Sequence, residues 1–143
     1  MDASPEVTAE LQQHMRTGFV QTLGLEFTAA SGDEVRARWP IRPELLQPYG
    51  ILHGGVHCSV VETLASTGAA LWLAERGQVV GVSNTTDFLR AAREGVLTAV
   101  ATPVHRGRLQ QLWQVLITDA GDRLLARGQV RLQNILDADR LGH

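Results

Sequence analysis

From Gly55 to about Arg76 the chain carries its longest helical pattern, and apolar residues occur nearly all round it: Val56, Val60, Val61, Leu64, Ala65, Ala69, Ala70, Leu71 and Leu73. A helix greasy on every side has to be enclosed by the rest of the molecule. Glu62 breaks the apolar run, so the segment does not read as a membrane span. A domain must therefore wrap this helix, and 143 residues are enough to build one core around it. Gly77 is expected to end the helix.

The wrapping material reads as strands. Four runs follow the helix: Val79 to Arg90, Val96 to Val104, Leu109 to Thr118 and Leu124 to Asn134. The last alternates, with Leu124, Ala126, Val130 and Leu132 on one face and Arg123, Arg127, Gln129 and Arg131 on the other. Arg106-Gly107-Arg108 and Asp119-Ala120-Gly121-Asp122 supply turns. Upstream, Leu25, Phe27 and Ala29 alternate up to Ser31-Gly32-Asp33, and Val35, Ala37, Trp39 and Ile41 alternate after it, which predicts a hairpin. Pro5 marks the start of a first helix, whose Leu11, Met15, Phe19 and Leu23 recur at helical spacing until Gly24. The expected layout is one α+β domain: an N-terminal helix over about 5–23, a core over about 24–135, and a short C-terminal tail. Its centre is a long helix wrapped by a curved antiparallel sheet of five or six strands.

Composition narrows the function. A net charge of −2 gives no general attraction to nucleic acid or to an anionic membrane. Cys58, the single cysteine, excludes an intramolecular disulfide and fits a reducing cytoplasm. Residues Met1 to Glu6 lack the basic-then-apolar order of a signal peptide. The five histidines show no ligand spacing, so no metal is expected. Trp39, Trp72 and Trp113 read as core or interface filling.

The chemistry concentrates where Gln47-Pro48-Tyr49-Gly50-Ile51-Leu52-His53-Gly54-Gly55 runs into the apolar helix. The first turn of a helix offers backbone N–H groups without intrahelical partners, and its dipole favours negative charge. Glycines there let a ligand approach the backbone closely. A thioester carbonyl placed at that turn would have its developing oxyanion stabilised. The same glycines would also suit a tightly packed turn. Glu62 adds weight to the catalytic reading, because a carboxylate among Val60, Val61, Leu64 and Ala65 is costly to bury without a partner. Such a group can serve as base or nucleophile; an ion pair with one of the arginines is the structural alternative. Cys58, Ser59 and Ser66 lie about one turn away on the same helix. Gly55 and Glu62 are seven residues apart, or roughly 10 Å along the axis. One carbonyl cannot meet both, so a shared substrate implies helices from two subunits related by a two-fold axis.

In these residues the chain resembles the hotdog-fold thioesterases, in particular the group with phenylacetate-pathway, enterobactin-pathway and Arthrobacter-type 4-hydroxybenzoyl-CoA thioesterases. The resemblance runs from about Gly18 to Asn134 and centres on His53-Gly54-Gly55 followed by Glu62. It implies that Gln47 helps hold the carbonyl and the attacking water, that His53 orders the turn, and that Gly54, with Gly55, donates to the oxyanion. Glu62 would be nucleophile or general base, and Ser66 the hydroxyl near it. Val80-Gly81-Val82-Ser83, Phe88-Leu89-Arg90, Val104-His105-Arg106-Gly107-Arg108 and Asp119 to Arg123 also follow the group's strand pattern. Ser83, Arg90, Arg106 and Arg108 are the implied contacts to substrate, the arginines suiting coenzyme A phosphates; a solvated basic edge is the plainer reading of any one of them.

The implied reaction is hydrolysis of an acyl-CoA or acyl-carrier-protein thioester to acid and thiol. Coenzyme A enters as part of the substrate, and no cofactor is required. The implied assembly is a homodimer with shared sites, paired again into a dimer of dimers. Three positions depart from the pattern: His57 where a small residue is usual, Thr85 for asparagine, and Ala91 for proline. His57 reads as a helix-surface or interface residue. The rivals are a hotdog dehydratase, which uses a histidine and acid at a different spacing with extra proline-glycine turn signals absent here, and a non-catalytic acyl-CoA-binding or regulatory module, which has no need of Glu62.

Overall fold

A computed structural model describes residues 5–136; the expected C-terminal tail lies largely outside them. In order the elements are α1 (Pro5–His14), α2 (Gly18–Leu23), β1 (Glu26–Ala30), β2 (Val35–Pro40), α3 (Gly54–Leu73), β3 (Gly77–Phe88), β4 (Val96–Arg106), β5 (Gln110–Thr118) and β6 (Leu124–Leu136). The strands form one six-stranded sheet in the order β1-β2-β4-β5-β6-β3, every neighbouring pair antiparallel. α3 lies on the inner face and touches β1 to β6. No described helix is long and apolar enough to cross a membrane.

The core forms where α3 meets the inward row of the sheet. Val60, Val61, Leu64, Ala65 and Ala69 pack against Leu97, Ala99, Trp113, Val115, Ile117 and Val130. Trp39 and Trp113 are fully buried, whereas Trp72 is half-buried beneath Arg76, whose guanidinium sits 4.4 Å from the ring centroid. Trp113 Nε1 donates to Gln111 Oε1 (2.8 Å), and Gln111 Nε2 donates to Asn134 Oδ1 (2.8 Å) and to the Ala69 carbonyl (3.2 Å). Buried amides satisfied in this way tie β5 and β6 to one position on the helix.

Four details correct the sequence reading. The first helix is two helices, because Gly18 takes a left-handed φ of +61°. The break changes the helical phase, so Val20 rather than Phe19 turns inward, and Phe19 is 65% exposed. The α-helical part of α3 ends at Leu73; Ala74, with φ +53°, opens a tighter 3-10 turn over Ala74–Arg76 that Gly77 closes, and Arg76 donates to the Trp72 and Leu73 carbonyls. The helix is not enclosed all round either. Ser59, Glu62, Thr63 and Ser66 form a half-buried stripe, and Ala70 is exposed, because one sheet covers only one side of a cylinder. Finally, β-bulges shift the strand alternation: Ala30 replaces Ala29 as the buried residue of β1, and Leu125 replaces Leu124 in β6.

Candidate active site

The turn before α3 is built by its own hydrogen bonds. Gln47 N–H donates to the Ile51 carbonyl and Gly50 N–H to the Gln47 carbonyl, both at 2.8 Å. Gly50 takes φ +79° to close this loop, a conformation that costs glycine little. The Gln47 side chain is held in place because Tyr49 N–H donates to its Oε1. His53 is the N-cap of α3: its Nδ1 accepts from Gly55 N–H at 2.8 Å, and its carbonyl accepts from Val56 N–H at 2.9 Å. A side chain at position 55 would meet the His53 ring at 2.9 Å, so the cap requires glycine there.

This arrangement narrows the expected choice of N–H donor at the turn. With Gly55 N–H committed to His53, Gly54 N–H remains as the free donor of the first turn. Gln47, Gly54, His57, Phe88, Leu89 and Arg90 together line a cavity of about 330 Å³. The Phe88 ring lies over Gly54, where an added Cβ would fall 2.8 Å from it.

Glu62 opens elsewhere. It shares with Ser66, Thr63, Met15, Val20 and Leu71 the wall of a second cavity of about 430 Å³, between α3 and the N-terminal helices. The carboxylate is half-buried rather than enclosed. Asn84 Nδ2 donates to its Oε1 at 3.2 Å. Thus one chain brings Gln47, His53, Gly54 and Arg90 together at the start of α3, and places Glu62 with Ser66 further along it.

The remaining predicted residues lie apart. Ser83 pairs with Arg131 on the outer face of the sheet, away from Glu62. Arg106 donates to the Gly32 carbonyl and to Asp33 Oδ1 (2.8 Å), holding the β1–β2 turn, and its guanidinium lies 5.6 Å from the Trp72 ring. That contact is with the far end of α3, about 27 Å from Gly54 at 1.5 Å per residue. Arg108 is exposed in the turn that follows. The arginines thus do not form one cluster within a chain.

His57 is not a surface residue. It is 3% exposed, its ring stacks on Phe88 with centroids 6.0 Å apart, and its Nδ1 has no hydrogen-bond partner. Desolvation pushes its pKa down to about 4, so the ring is neutral at physiological pH. In the unfolded chain a histidine titrates near 6.5. As pH falls through that value towards 4, the unfolded state gains a proton that the native state refuses, and stability declines; above about 6.5 the effect is absent. The unfolding free energy should therefore fall across this window, by on the order of 2–3 kcal/mol at its acid end, and denaturation midpoints with it. His57→Phe should flatten the decline while keeping the stack, and an equal slope in both proteins would refute this account.

A curved antiparallel sheet wrapped on one long helix, with a glycine turn at the helix start and a carboxylate further along it, is the architecture of the hotdog thioesterases. Residues 49–126 match the profile of the thioesterase superfamily. A Mycobacterium tuberculosis protein described as an esterase, Rv1847, is 49% identical over 138 residues, covering 94% of this chain and 97% of that one. The 1,4-dihydroxy-2-naphthoyl-CoA hydrolase of Escherichia coli K12 is 32% identical over 120 residues, 83% of this chain and 88% of that protein. The crystal structure of the Haemophilus influenzae thioesterase HI1161 superposes with a TM-score of 0.86 at 35% identity, covering 90% of each chain. The chain belongs to the thioesterase superfamily, and it is a thioester hydrolase.

Proposed function

We propose that this hydrolase acts on acyl-CoA or acyl-carrier-protein thioesters, in the cytoplasm, at a site completed by two copies of the chain. One observation carries the proposal: the oxyanion donor and the carboxylate open into different cavities of the same chain. Gly54 and Glu62 stand on one helix about 12 Å apart along its axis, whereas a reacting carbonyl has to lie about 3 Å from each. A second α3 running the other way brings a partner's Glu62 to Gly54, and the reverse.

Two features favour such a partner. The stripe of Ser59, Glu62, Thr63 and Ser66 stays only half-buried, even though β3 of the chain's own sheet touches Glu62. β3 is an edge strand of 12 residues with Val80 and Val82 exposed, and an edge of that length is a template for pairing with another chain. A dimer of dimers extends the same reading.

In the reaction, Gly54 N–H polarises the carbonyl and the Gln47 amide orients it. Glu62 of the facing subunit either attacks the carbonyl or takes the proton of an attacking water. The products are a free acid and a thiol, with coenzyme A as leaving group and no cofactor consumed. Arg90, on the rim of the Gln47–Gly54 cavity, suits a substrate phosphate. Arg106 and Arg108 would reach the same substrate only from a neighbouring chain. The relative named as a naphthoyl-CoA hydrolase supports coenzyme A as the carrier.

A hydrolysis screen over acyl-CoA and acyl-carrier-protein panels, detecting free thiol, tests the proposal. Tight binding without thiol release would favour a binding module instead. Within an active panel, Gln47→Ala should lower kcat by about 10²-fold or more with little change in KM, because its bond tightens only as the carbonyl gains charge. Arg90→Ala should do the reverse, raising KM for coenzyme A substrates at nearly constant kcat. A pure KM effect in Gln47→Ala would reduce that residue to a binding role, and an unchanged KM in Arg90→Ala would remove the phosphate contact.

A further inference from the structure

The strand facing Glu62 has an inward row that simple alternation conceals. A β-bulge between Gly81 and Ser83 inserts one residue, so inward positions run Val79, Gly81, then Asn84, Thr86 and Phe88. These pair with Asn134, Leu132, Val130, Gly128 and Ala126 of β6, all of which are buried against the helix side. Polar side chains at inward positions next to an apolar helix need a partner or a task.

Asn84 has both. Its Nδ2 donates to the Cys58 carbonyl at 3.0 Å and to Glu62 Oε1 at 3.2 Å, while its Oδ1 accepts from Thr86 Oγ1 at 2.8 Å. The orientation of the amide is fixed by chemistry, because a backbone carbonyl and a carboxylate can both only accept. Glu62's second oxygen rests on bare backbone: a Cβ added at Gly81 would lie 2.4 Å from Oε2. The carboxylate is thus gripped at one oxygen by Asn84 and seated at the other on Gly81.

We propose that Asn84 is a positioning residue which, with the side-chain-free backbone at Gly81, fixes the Glu62 carboxylate for attack on the thioester. The proposal rests on the catalytic role given to Glu62 above. Thr86 sets the amide and the Cys58 carbonyl ties it to α3, so Glu62 is held relative to the helix that carries it. Misplacement of a reacting group by about 1 Å is enough to cost about 10²-fold in rate. The chain that supplies Asn84 is the one that supplies Glu62, whereas Gln47 and Gly54 belong to the other half of the shared site.

The test measures kcat and KM for Asn84→Ala, Asn84→Asp and Gly81→Ala beside Glu62→Ala, with thermal melts of each. Asn84→Ala should lower kcat about 10- to 10²-fold at nearly unchanged KM. Asn84→Asp, matched in shape but acceptor-only and anionic, should lose more than Asn84→Ala. Gly81→Ala should lose kcat by displacing Oε2, with KM again spared. In a Glu62→Ala background, adding Asn84→Ala should cost nothing further, since its action passes through the carboxylate. If Glu62→Ala is inactive while Asn84→Ala keeps kcat within about twofold, the positioning role is overturned and the thioesterase reading stands. If Asn84→Ala still lowers activity in the Glu62→Ala background, Asn84 acts by another route. Full activity in Glu62→Ala would overturn both readings. Because Asn84 lies outside the apolar core, its variants should melt near the wild-type temperature; a variant that does not is replaced by Gly81→Ala, which probes the other oxygen.

Discussion

A Glu62→Ala protein is expected to fold and assemble as the wild type does and to lose at least about 10²- to 10³-fold in kcat. The folding half of this expectation comes from contacts. Glu62 is half-buried on the open stripe of α3, it forms no ion pair among the described residues, and it accepts a hydrogen bond from the Asn84 side chain. Removing it opens no hole among Val60, Val61 and Leu64, which carry the core. The catalytic half comes from chemistry. Gln47 offers an amide and Gly54 an N–H, groups able to polarise a carbonyl but unable to attack it or to accept a proton from water. Ser66, on the same cavity wall, is a hydroxyl and needs a base before it can attack. The measurement is single-substrate kinetics on the best acyl donor from the screen, with melting temperature and assembly state recorded together. A well-folded Glu62→Ala protein with near-normal kcat would sink the assignment.

The turn and the carboxylate were legible in the sequence because each breaks a local rule. Gly54 and Gly55 at a helix start, and a glutamate in a run of valines and leucines, both go against the cheapest choice for their place, and such departures concentrate at functional sites. The central helix was legible from its apolar circumference and the sheet from its period. What escaped was set by one-residue insertions. Reading β3 as a regular strand turns Ser83 and Thr85 inward; the bulge turns Ser83 outward and gives Asn84 and Thr86 the inward places, since a slip of one residue exchanges the two faces. The same effect moved Ala30 and Leu125 into the core. The helix-surface reading of His57 failed for a different reason. Its polarity argues for the surface, but three residues after Gly54 the helix faces Phe88, a neighbour that only the closed sheet supplies. Arg106 was visible as a cation, whereas its partner Asp33 lies 73 residues away, a separation that no local pattern encodes.

Two inactive proteins are expected to make an active one. Glu62→Ala lacks the carboxylate, and Gly54→Pro lacks the N–H proposed to polarise the carbonyl. Proline suits this test because position 54 is the first residue of α3, where proline is well tolerated. His53 before it already has φ −65° and ψ 133°, the extended geometry that a following proline imposes. The new ring displaces Phe88, whose exposed side chain has room to move. If each site takes its donor from one chain and its carboxylate from the other, a mixed dimer contains one site with both and one with neither. Random reassortment makes about half the dimers mixed, so roughly a quarter of wild-type activity should return. Co-expression, or refolding the two proteins together, supplies the exchange, and differently tagged chains allow the heterodimer to be purified and its activity measured directly. Each variant alone should stay at background, which separates complementation from leakage. Heterodimers that are folded, verified and still inactive would place donor and carboxylate within one chain. That outcome would require α3 to bend by most of the roughly 12 Å between Gly54 and Glu62, so the two-helix site would have to be given up.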